Sequence, residues 1–140
     1  MSGLIFITGA TGFIGSTTAK KALEKGYKLR ISVRKEAQIE KLKSILGYPD
    51  QLDFAIISDL ADPKAFAGKL DNVDYVLHMA SPLAGNSTDK AECFGPFVDG
   101  TTAILTEAMK VASIKKVVIT SSVATFMALD GPNVRKVIRK

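Results

Sequence analysis

Three glycines near the N-terminus, at positions 9, 12 and 15, constrain the fold of this chain more than any other feature. Residues 4–7, before them, form a continuous apolar run, which is typical of a parallel strand buried on both faces. Residues 13–25, after them, carry apolar positions at helical spacing, and Gly26 follows. A buried strand, a glycine turn and a helix in this order predict the opening of a βαβ unit.

The glycine turn also predicts a binding site for a phosphate group. Gly9 permits a sharp reversal at the strand end, Gly12 leaves no side chain between the backbone and a ligand, and Gly15 lets the helix pack close to the strand. The unpaired N–H groups and the positive end of the helix dipole favour a pyrophosphate there. The spacing G-x-x-G-x-x-G differs from the usual G-x-G-x-x-G, and a turn that uses glycine only for its geometry is the alternative.

Arg34 lies 19 residues after Gly15, at about the distance where such units place the residue that reads the adenosine ribose. An acidic residue there binds a free 2′-hydroxyl, whereas an arginine accommodates a 2′-phosphate. Arg34 and its neighbour Lys35 are basic, so the position favours NADP over NAD, because a guanidinium forms paired, charge-assisted hydrogen bonds with phosphate. The alternative is that both are solvated loop residues.

Further strands and helices alternate along the rest of the chain. Strands are predicted over residues 28–33, 52–57, 73–79 and 116–120, and helices over residues 36–46, 62–70 and 96–112. The alternation predicts an α/β fold, namely a Rossmann-like, doubly wound parallel sheet of about five strands with helices on both faces. We assign residues 1–126 to this domain, truncated after its fifth strand, and residues 127–140 to a basic C-terminal tail.

Small and polar residues follow the strands, on the rim where open α/β sheets bind ligands. Asp59 could accept a hydrogen bond from an adenine amino group while Leu60 covers the ring; a turn aspartate and a core leucine are the alternative. Ala80 would let a nicotinamide ribose approach the backbone, and Ser122 is expected to face the same crevice. His78 has no evident acidic partner or metal-ligand cluster, so we interpret it as a hydrogen-bonded strand-end residue and not as a base.

Charge and hydropathy argue against two classes of partner. The net charge is +5, but residues 131–140 carry four basic residues and no acid, which leaves 15 basic and 14 acidic residues in the other 130. A nearly neutral body without an aromatic platform argues against nucleic-acid binding. No apolar stretch approaches the roughly 20 residues of a membrane span, and the single cysteine, Cys93, cannot form an internal disulfide. We therefore expect a cytoplasmic protein that binds neither nucleic acid nor a membrane.

In their order, these motifs resemble the extended short-chain dehydrogenase/reductases (the NAD-dependent epimerase/dehydratase family). Within that family, the resemblance is to the branch of dihydroflavonol reductases, cinnamoyl-CoA reductases and fungal aldehyde/ketone reductases. The segments that carry it extend over about residues 3–125 and are Thr8-Gly9-Ala10-Thr11-Gly12-Phe13-Ile14-Gly15, Val33-Arg34, Asp59-Leu60, His78-Met79-Ala80-Ser81-Pro82, Asp99-Gly100-Thr101 and Val117-Val118-Ile119-Thr120-Ser121-Ser122.

The resemblance implies an NADP-dependent oxidoreductase that reduces a carbonyl group of a small molecule. It places Arg34 at the 2′-phosphate and Asp59 and Leu60 at the adenine. It implies that Ser122 is the catalytic serine, whose hydroxyl hydrogen-bonds the substrate carbonyl while a tyrosine donates the proton and a lysine lowers the pKa of that tyrosine. The residues implied at the pyrophosphate are Gly9, Ala10, Thr11, Gly12, Phe13 and Ile14, with Gly15 behind them.

The chain departs from the family pattern after Ser122. The family's Tyr-x-x-x-Lys lies well beyond the serine, and none of the three tyrosines in the chain has a lysine four residues later. We therefore expect the chain to be the cofactor-binding part of such a reductase and to be inactive alone. A non-catalytic NADP-binding sensor or interaction module is the alternative. We also expect self-association through an uncovered sheet edge.

Overall fold

Strands and helices alternate in the computed structural model, which describes residues 3–81 and 90–123, and of residues 90–94 only the backbone. The elements of this described part are, in order, β1 (Leu4–Thr8), α1 (Phe13–Glu24), β2 (Lys28–Val33), α2 (Ala37–Leu46), a short 3-10 helix (Pro49–Gln51), β3 (Leu52–Ile56), β4 (Tyr75–His78), α3 (Lys90–Ala108) and β5 (Lys116–Ile119).

The strands form one parallel sheet in the order β3-β2-β1-β4-β5. β1 pairs with β2 on one side, where Ile7 lies opposite Ile31, and with β4 on the other, where Thr8 lies opposite His78. The chain therefore runs outward from β1 to β3 and then crosses back to β4. This crossing creates a switch point beside the carboxyl end of β1, where open α/β sheets bind their ligands.

Successive strand residues point to opposite faces of the sheet, so the two faces bury separate sets of apolar side chains. One face, with Ile7 and Ile31, packs against α1 through Leu23 and against α2 through Leu46. The other packs against α3 and the β3–β4 connection, and its buried residues are Phe6, Ala55, Ile57, Phe66, Leu70, Val73, Val76, Ala103, Ile104 and Ala108. Each large side chain buried in this way stabilises the fold by roughly 1.5–3 kcal/mol. The predicted fold class is confirmed, because helices cover both faces of a parallel sheet.

The helix predicted over residues 62–70 is wrong, because this segment forms consecutive turns. Asp62 starts the first turn, where its Oδ1 accepts a hydrogen bond from the N–H of Lys64 (2.8 Å). Gly68 adopts a left-handed conformation with φ of 66°, which a helix cannot continue through. The segment is held instead by its buried anchors, Phe66 and Leu70, which reach into the core beneath it.

α3 begins six residues earlier than the predicted start at Pro96 and ends at Ala108. Proline favours the first turn of a helix, but here Pro96 lies inside α3. The residues that extend the helix upstream include Lys90, Ala91 and Glu92, which are strong helix formers. None of the helices in the two described ranges is long and apolar enough to cross a membrane.

β5 lies at one edge of the described sheet and exposes apolar side chains. Val118 is 45% exposed, and Val123, just past the strand, is 76% exposed. Met109, just after α3, is 87% exposed. An open edge beside exposed apolar side chains is the structural feature on which the expected self-association depends.

Candidate functional site

The glycine turn between β1 and α1 brings the backbone against the end of β4. Gly9 has a φ of 80°, a conformation that L side chains rarely adopt. A Cβ atom at Gly9 would lie 2.7 Å from the N atom of Ala80 and 2.8 Å from the carbonyl carbon of Met79. Only glycine fits this position, and the turn can therefore lie directly on the neighbouring strand end.

Gly15 lies beneath the glycine turn, at the point where the start of α1 passes over the end of β1. A Cβ atom at Gly15 would lie 2.6 Å from the carbonyl carbon of Gly9 and 2.9 Å from the Cα of Ala10. Both neighbours are backbone, so neither can move aside without moving the strand. Gly15 therefore sets the close approach of α1 to β1, the role that the sequence assigned to it.

Gly12 is required neither by its backbone conformation nor by its protein neighbours. Its φ of −88° and ψ of 170° are accessible to any residue. A Cβ atom there would have one neighbour within 4 Å, the carbonyl oxygen of Gly9 at 3.4 Å. The space above Gly12 is open, and a group held against the backbone at this point would meet the Cβ of any larger residue.

The start of α1 has the electrostatic character of an anion site. Gly12 is the N-cap and provides no capping side chain, and the first turn contains no acidic residue. The N–H groups of this turn have no partner inside the helix, and the positive end of the helix dipole lies behind them. A phosphate group would meet both these donors and the open space at Gly12.

The other predicted residues of the turn differ in their exposure. Ala10 is fully buried, so its side chain belongs to the core and only its backbone is available to a ligand. Phe13 is 90% exposed and Ile14 is 69% exposed, although both open a helix that otherwise packs on the sheet. Thr11 is exposed and lines a cavity beside the turn.

Two adjoining cavities lie along the carboxyl ends of the strands. The smaller, of about 320 Å³, lies beside the glycine turn and is lined by Gly9, Thr11, Gly12, Arg34 and Gln38, among others. The larger, of about 550 Å³, extends towards β5 and the first half of α3, and Asp59, His78, Phe97, Thr101 and Ser122 are among its lining residues. Four residues, Arg34, Leu60, Ala80 and Ser81, line both. The structure thus brings most of the predicted site residues together along one continuous crevice.

Arg34 is exposed and follows β2 at the point where the two cavities meet. Its main-chain N–H donates a hydrogen bond of 2.9 Å to Oε1 of Gln38, and the N–H of Lys35 donates one of 3.2 Å to the same oxygen. These bonds fix the loop that carries the guanidinium. Among the described residues that line the smaller cavity, Arg34 alone carries a charge.

Asp59 and Leu60 were predicted either to contact an adenine or to be a turn aspartate and a core leucine, and their positions are compatible with both. Oδ1 of Asp59 accepts a hydrogen bond of 2.9 Å from the N–H of Ala61, so Asp59 is a turn aspartate. Leu60 is half-buried and packs against the core of the α3 face. Both residues also line the larger cavity. A turn that exposes the carboxylate at the cavity wall is compatible with a nucleobase contact as well.

Thr8 and His78 link the ends of β1 and β4 beneath the crevice. Oγ1 of Thr8 lies 2.9 Å from Nδ1 of His78 and accepts hydrogen bonds of 3.1 Å from the N–H groups of Met79 and Ala80. His78 is buried, and this burial holds the pKa of its imidazole below the ordinary value of 6.5. The interpretation of His78 as a hydrogen-bonded strand-end residue is confirmed.

Ser122 is exposed and lies at the β5 end of the larger cavity. The backbone leading to it is tied to β4, because the N–H of Thr120 donates a hydrogen bond of 3.0 Å to the carbonyl oxygen of His78. The serine is therefore carried by the end of a paired strand. Its predicted position in the same crevice as the glycine turn and Ala80 agrees with this placement.

Some residues at the site carry no role in the sequence-based assignment. Gln38 is one of these. The sequence feature that indicates its role is its position in the first turn of α2, from which a glutamine can reach back to the preceding N–H groups. Phe97 is another, because it enters from α3, which is distant in sequence from the other walls. No local pattern distinguishes Phe97 from an ordinary helix residue, whereas Thr101, which lines the same cavity, belongs to the Asp99-Gly100-Thr101 segment of the family resemblance.

The arrangement suits an elongated anionic ligand with a ring system. Phosphate fits the open space at Gly12 and the start of α1, a further phosphate fits Arg34, and apolar walls such as Leu60 and Phe97 suit a planar ring. A nicotinamide dinucleotide has these parts. Within the described ranges, no cluster of His, Cys, Asp and Glu side chains could hold a metal ion.

Comparison with known proteins agrees with this geometry. The chain is 51% identical over 129 residues to ketoreductase sphI of Aspergillus fumigatus. This alignment covers 91% of the chain and 38% of that protein. It is 32% identical over 133 residues to dihydroflavonol 4-reductase of Hordeum vulgare, covering 93% and 38%. The crystal structure of Gre2 from Candida albicans in complex with NADPH superposes with a TM-score of 0.81 at 34% identity, covering 90% of the chain and 38% of Gre2.

The chain thus spans about two fifths of the length of each of these relatives. The family resemblance read from the ordered motifs is confirmed, because residues 5–137 match a single family. On the evidence of this match and of the crevice that these residues build, the chain belongs to the NAD dependent epimerase/dehydratase family.

Proposed function

We propose that this chain binds NADP and forms the cofactor-binding part of an NADP-dependent reductase of small-molecule carbonyl compounds. The single observation that carries the proposal is that Gly12, with its open space, and Arg34 line the same cavity. The reductase activity is proposed from the relatives, which include a ketoreductase and a dihydroflavonol 4-reductase.

The preference for NADP over NAD rests on the charge at the end of β2. Of the residues that the structure describes around the smaller cavity, Arg34 alone is charged, and Gln38 holds its backbone in place. A guanidinium stabilises a phosphate on the adenosine ribose, whereas a carboxylate in its place would repel one. The NADPH bound to Gre2 of Candida albicans supports the same choice.

The residues of this chain would bind and orient the reactants. The backbone at Gly9 and Gly12 and the first turn of α1 hold the pyrophosphate, and Arg34 holds the 2′-phosphate. When bound, a reduced nicotinamide supplies a hydride to the carbonyl carbon. The hydroxyl of Ser122 donates a hydrogen bond to the carbonyl oxygen and so stabilises the charge that develops there.

Calorimetric titration of the 140-residue chain with NADP⁺ and NAD⁺ tests the proposal. We expect tighter binding of NADP⁺, and we expect Arg34→Ala to weaken NADP⁺ binding about 10- to 100-fold while NAD⁺ binding changes little. Lys35→Ala is the matched control, because it removes the neighbouring positive charge from a residue that lines neither cavity. Absence of binding by a folded chain, or equal affinity for both dinucleotides, would contradict the proposal.

Measurements of turnover test whether the protein is a carbonyl reductase or a non-catalytic NADP-binding module. Oxidation of NADPH with a panel of aldehydes and ketones is followed by absorbance, with the 140-residue chain alone. We expect binding without turnover, because the chain contains no Tyr-x-x-x-Lys. The sensor or interaction module also predicts binding without turnover, so the decisive sample is a chain extended to the length of its relatives. Carbonyl reduction by the extended chain supports the reductase, and binding with no reduction supports the module.

A further inference from the structure

The hydroxyl of Thr8 has three hydrogen-bond partners beneath the crevice. The N–H groups of Met79 and Ala80 both donate to its Oγ1, each at 3.1 Å. The third partner is Nδ1 of His78, at 2.9 Å. Thr8 is fully buried and His78 is 4% exposed, so water does not compete for these bonds.

The network determines which imidazole nitrogen carries the proton. A hydroxyl oxygen has two lone pairs, and both main-chain donors approach them, although the N–H of Met79 is shared with the carbonyl oxygen of Thr8 at 3.3 Å. The only group that the hydroxyl can still offer is its hydrogen, which must therefore be donated to Nδ1 of His78. Nδ1 is then an acceptor without a hydrogen, and the proton of the neutral ring is at Nε2. Burial lowers the pKa of His78, which keeps the ring in this neutral form.

His78 is one of the residues that line the larger cavity. Among the residues that the structure describes, its hydrogen bond is the one to Thr8. Because that bond occupies Nδ1, the nitrogen that remains for a ligand in the cavity is Nε2, a donor of fixed tautomer. The charged residues that line the same cavity are Arg34 and Asp59, on its far side beyond the ends of β2 and β3.

The place of His78 in the sheet indicates which part of a ligand it meets. Arg34 follows β2, whereas His78 ends β4, and β1 lies between these strands. Neighbouring strands lie about 4.8 Å apart, so β2 and β4, which precede Arg34 and end at His78, are about 10 Å apart across the crevice. A dinucleotide whose adenosine 2′-phosphate is at Arg34 and whose pyrophosphate is at the glycine turn would extend its second nucleoside towards β4.

We propose that His78 binds the second nucleoside half of the dinucleotide, through a hydrogen bond donated from Nε2 to a ligand oxygen, and that Thr8 makes this possible by holding the ring in the Nε2–H tautomer. This inference rests on the proposed NADP binding. It gives a role in cofactor recognition to a residue that the motifs place only at a strand end.

Nuclear magnetic resonance of the ¹⁵N-labelled wild-type chain tests the tautomer without any substitution. Two-bond ¹H–¹⁵N correlations of the single histidine distinguish an Nε2–H ring from an Nδ1–H ring. We expect the Nε2–H pattern in the free chain, and a marked shift of the Nε2 signals on addition of NADP⁺. Adenosine 2′,5′-bisphosphate, which lacks the second nucleoside, should leave the Nε2 signals in place. An Nδ1–H pattern, or equal shifts with both ligands, would overturn the inference.

Two substitutions at His78 distinguish the contributions of its two ring nitrogens. His78→Asn keeps an acceptor for Thr8 but has no donor at the position of Nε2, whereas His78→Gln can place an amide N–H there. We expect His78→Asn to weaken NADP⁺ binding about 3- to 10-fold, the worth of one hydrogen bond, and His78→Gln to restore part of the loss. Neither should change the affinity for adenosine 2′,5′-bisphosphate.

The same titrations distinguish failure of this inference from failure of the proposed function. If both variants bind NADP⁺ as the wild-type chain does, or lose affinity equally for both ligands, His78 has only a structural role and the inference is wrong. If the wild-type chain binds neither ligand, the proposed NADP site itself is wrong, and the inference falls with it. Should His78→Asn not fold, the wild-type resonance measurement still decides.

Discussion

Gln38 holds the backbone of Arg34 in place, because its side-chain Oε1 accepts a hydrogen bond of 2.9 Å from the main-chain N–H of Arg34. The same oxygen accepts a bond from the N–H of Lys35 (3.2 Å). The two bonds tie the loop after β2 to the first turn of α2. A guanidinium on a tethered loop loses less conformational entropy on binding a phosphate than one on a free loop.

Gln38→Ala should therefore weaken the binding of NADP⁺ while the arginine itself is unchanged. We expect a loss of about 3- to 10-fold for NADP⁺, with little change for NAD⁺, measured by calorimetric titration. Ser44→Ala, at an exposed position of the same helix, serves as the control and should change neither. An equal loss for both dinucleotides would mean that Gln38 acts on the pyrophosphate end of the site and not through Arg34.

Gly12 and Gly15 should respond differently to the same substitution. Gly12→Ala adds a methyl group that meets only the carbonyl oxygen of Gly9, at 3.4 Å, so we expect an almost unchanged melting temperature. Because that methyl occupies the space proposed for a phosphate, NADP⁺ affinity should fall about tenfold or more.

Gly15→Ala is the opposite case, because its methyl group would meet the backbone of Gly9 and Ala10. We expect the free energy of unfolding to fall by at least about 2 kcal/mol, measured by urea denaturation. Retention of tight NADP⁺ binding by Gly12→Ala would contradict the phosphate position. A stable Gly15→Ala variant would contradict the close packing of α1 on β1.

Asp74 should make stability depend on pH in the acid range. Its carboxylate accepts hydrogen bonds from Nζ of Lys115 (2.7 Å) and from the N–H of Leu4 (2.9 Å). The hydrogen bond from Lys115 is the main reason why the pKa of Asp74 is below its ordinary value of 3.8, and the bond from Leu4 adds to it. A lowered pKa in the folded state means that the carboxylate stabilises the fold above pH 3.8 and that this contribution is lost as the pH falls through the folded-state value.

Asp74→Asn tests this dependence by thermal unfolding at a series of pH values. The variant should melt at a lower temperature than the wild-type chain at pH 7, and the difference should shrink as the pH falls below 3.8. Asp71→Asn is a suitable control, since the side chain of Asp71 lies on the surface nearby. A difference that stays constant between pH 7 and pH 3 would show that the charge of Asp74 is not what stabilises the strand ends.

The exposed edge at β5 should lead to self-association of the 140-residue chain. Val118 is 45% exposed on a strand with an unpaired edge in the described sheet. We expect sedimentation velocity to show a mass that rises with concentration, and Val118→Lys to shift the chain towards the monomer, because an edge lysine opposes strand pairing. Ser44→Lys adds the same charge on α2 and should not have this effect. A monomer at all concentrations would contradict the expectation.

Several elements could be predicted from the sequence because their causes are local. The apolar run of β1, the three glycines and the helical spacing of α1 lie within one stretch, and each limits the backbone of its own segment. The strand at residues 28–33 was predicted with the bounds that the structure shows. The structure of residues 62–70 was predicted wrongly, because Gly68 and the buried Phe66 impose turns where the local pattern resembles a helix.

The sequence by itself determined the fold class, the family and the glycine turn between β1 and α1, because strand period, glycine placement and motif order are properties of neighbouring residues. Only the tertiary structure decided that Gln38 holds the backbone of Arg34, that α3 supplies a wall of the larger cavity, and that Oγ1 of Thr8 lies within hydrogen-bond distance of Nδ1 of His78. Thr8 and His78 are 70 residues apart in the chain. Their contact exists because parallel strands bring their carboxyl ends together, and no pattern within either segment encodes it.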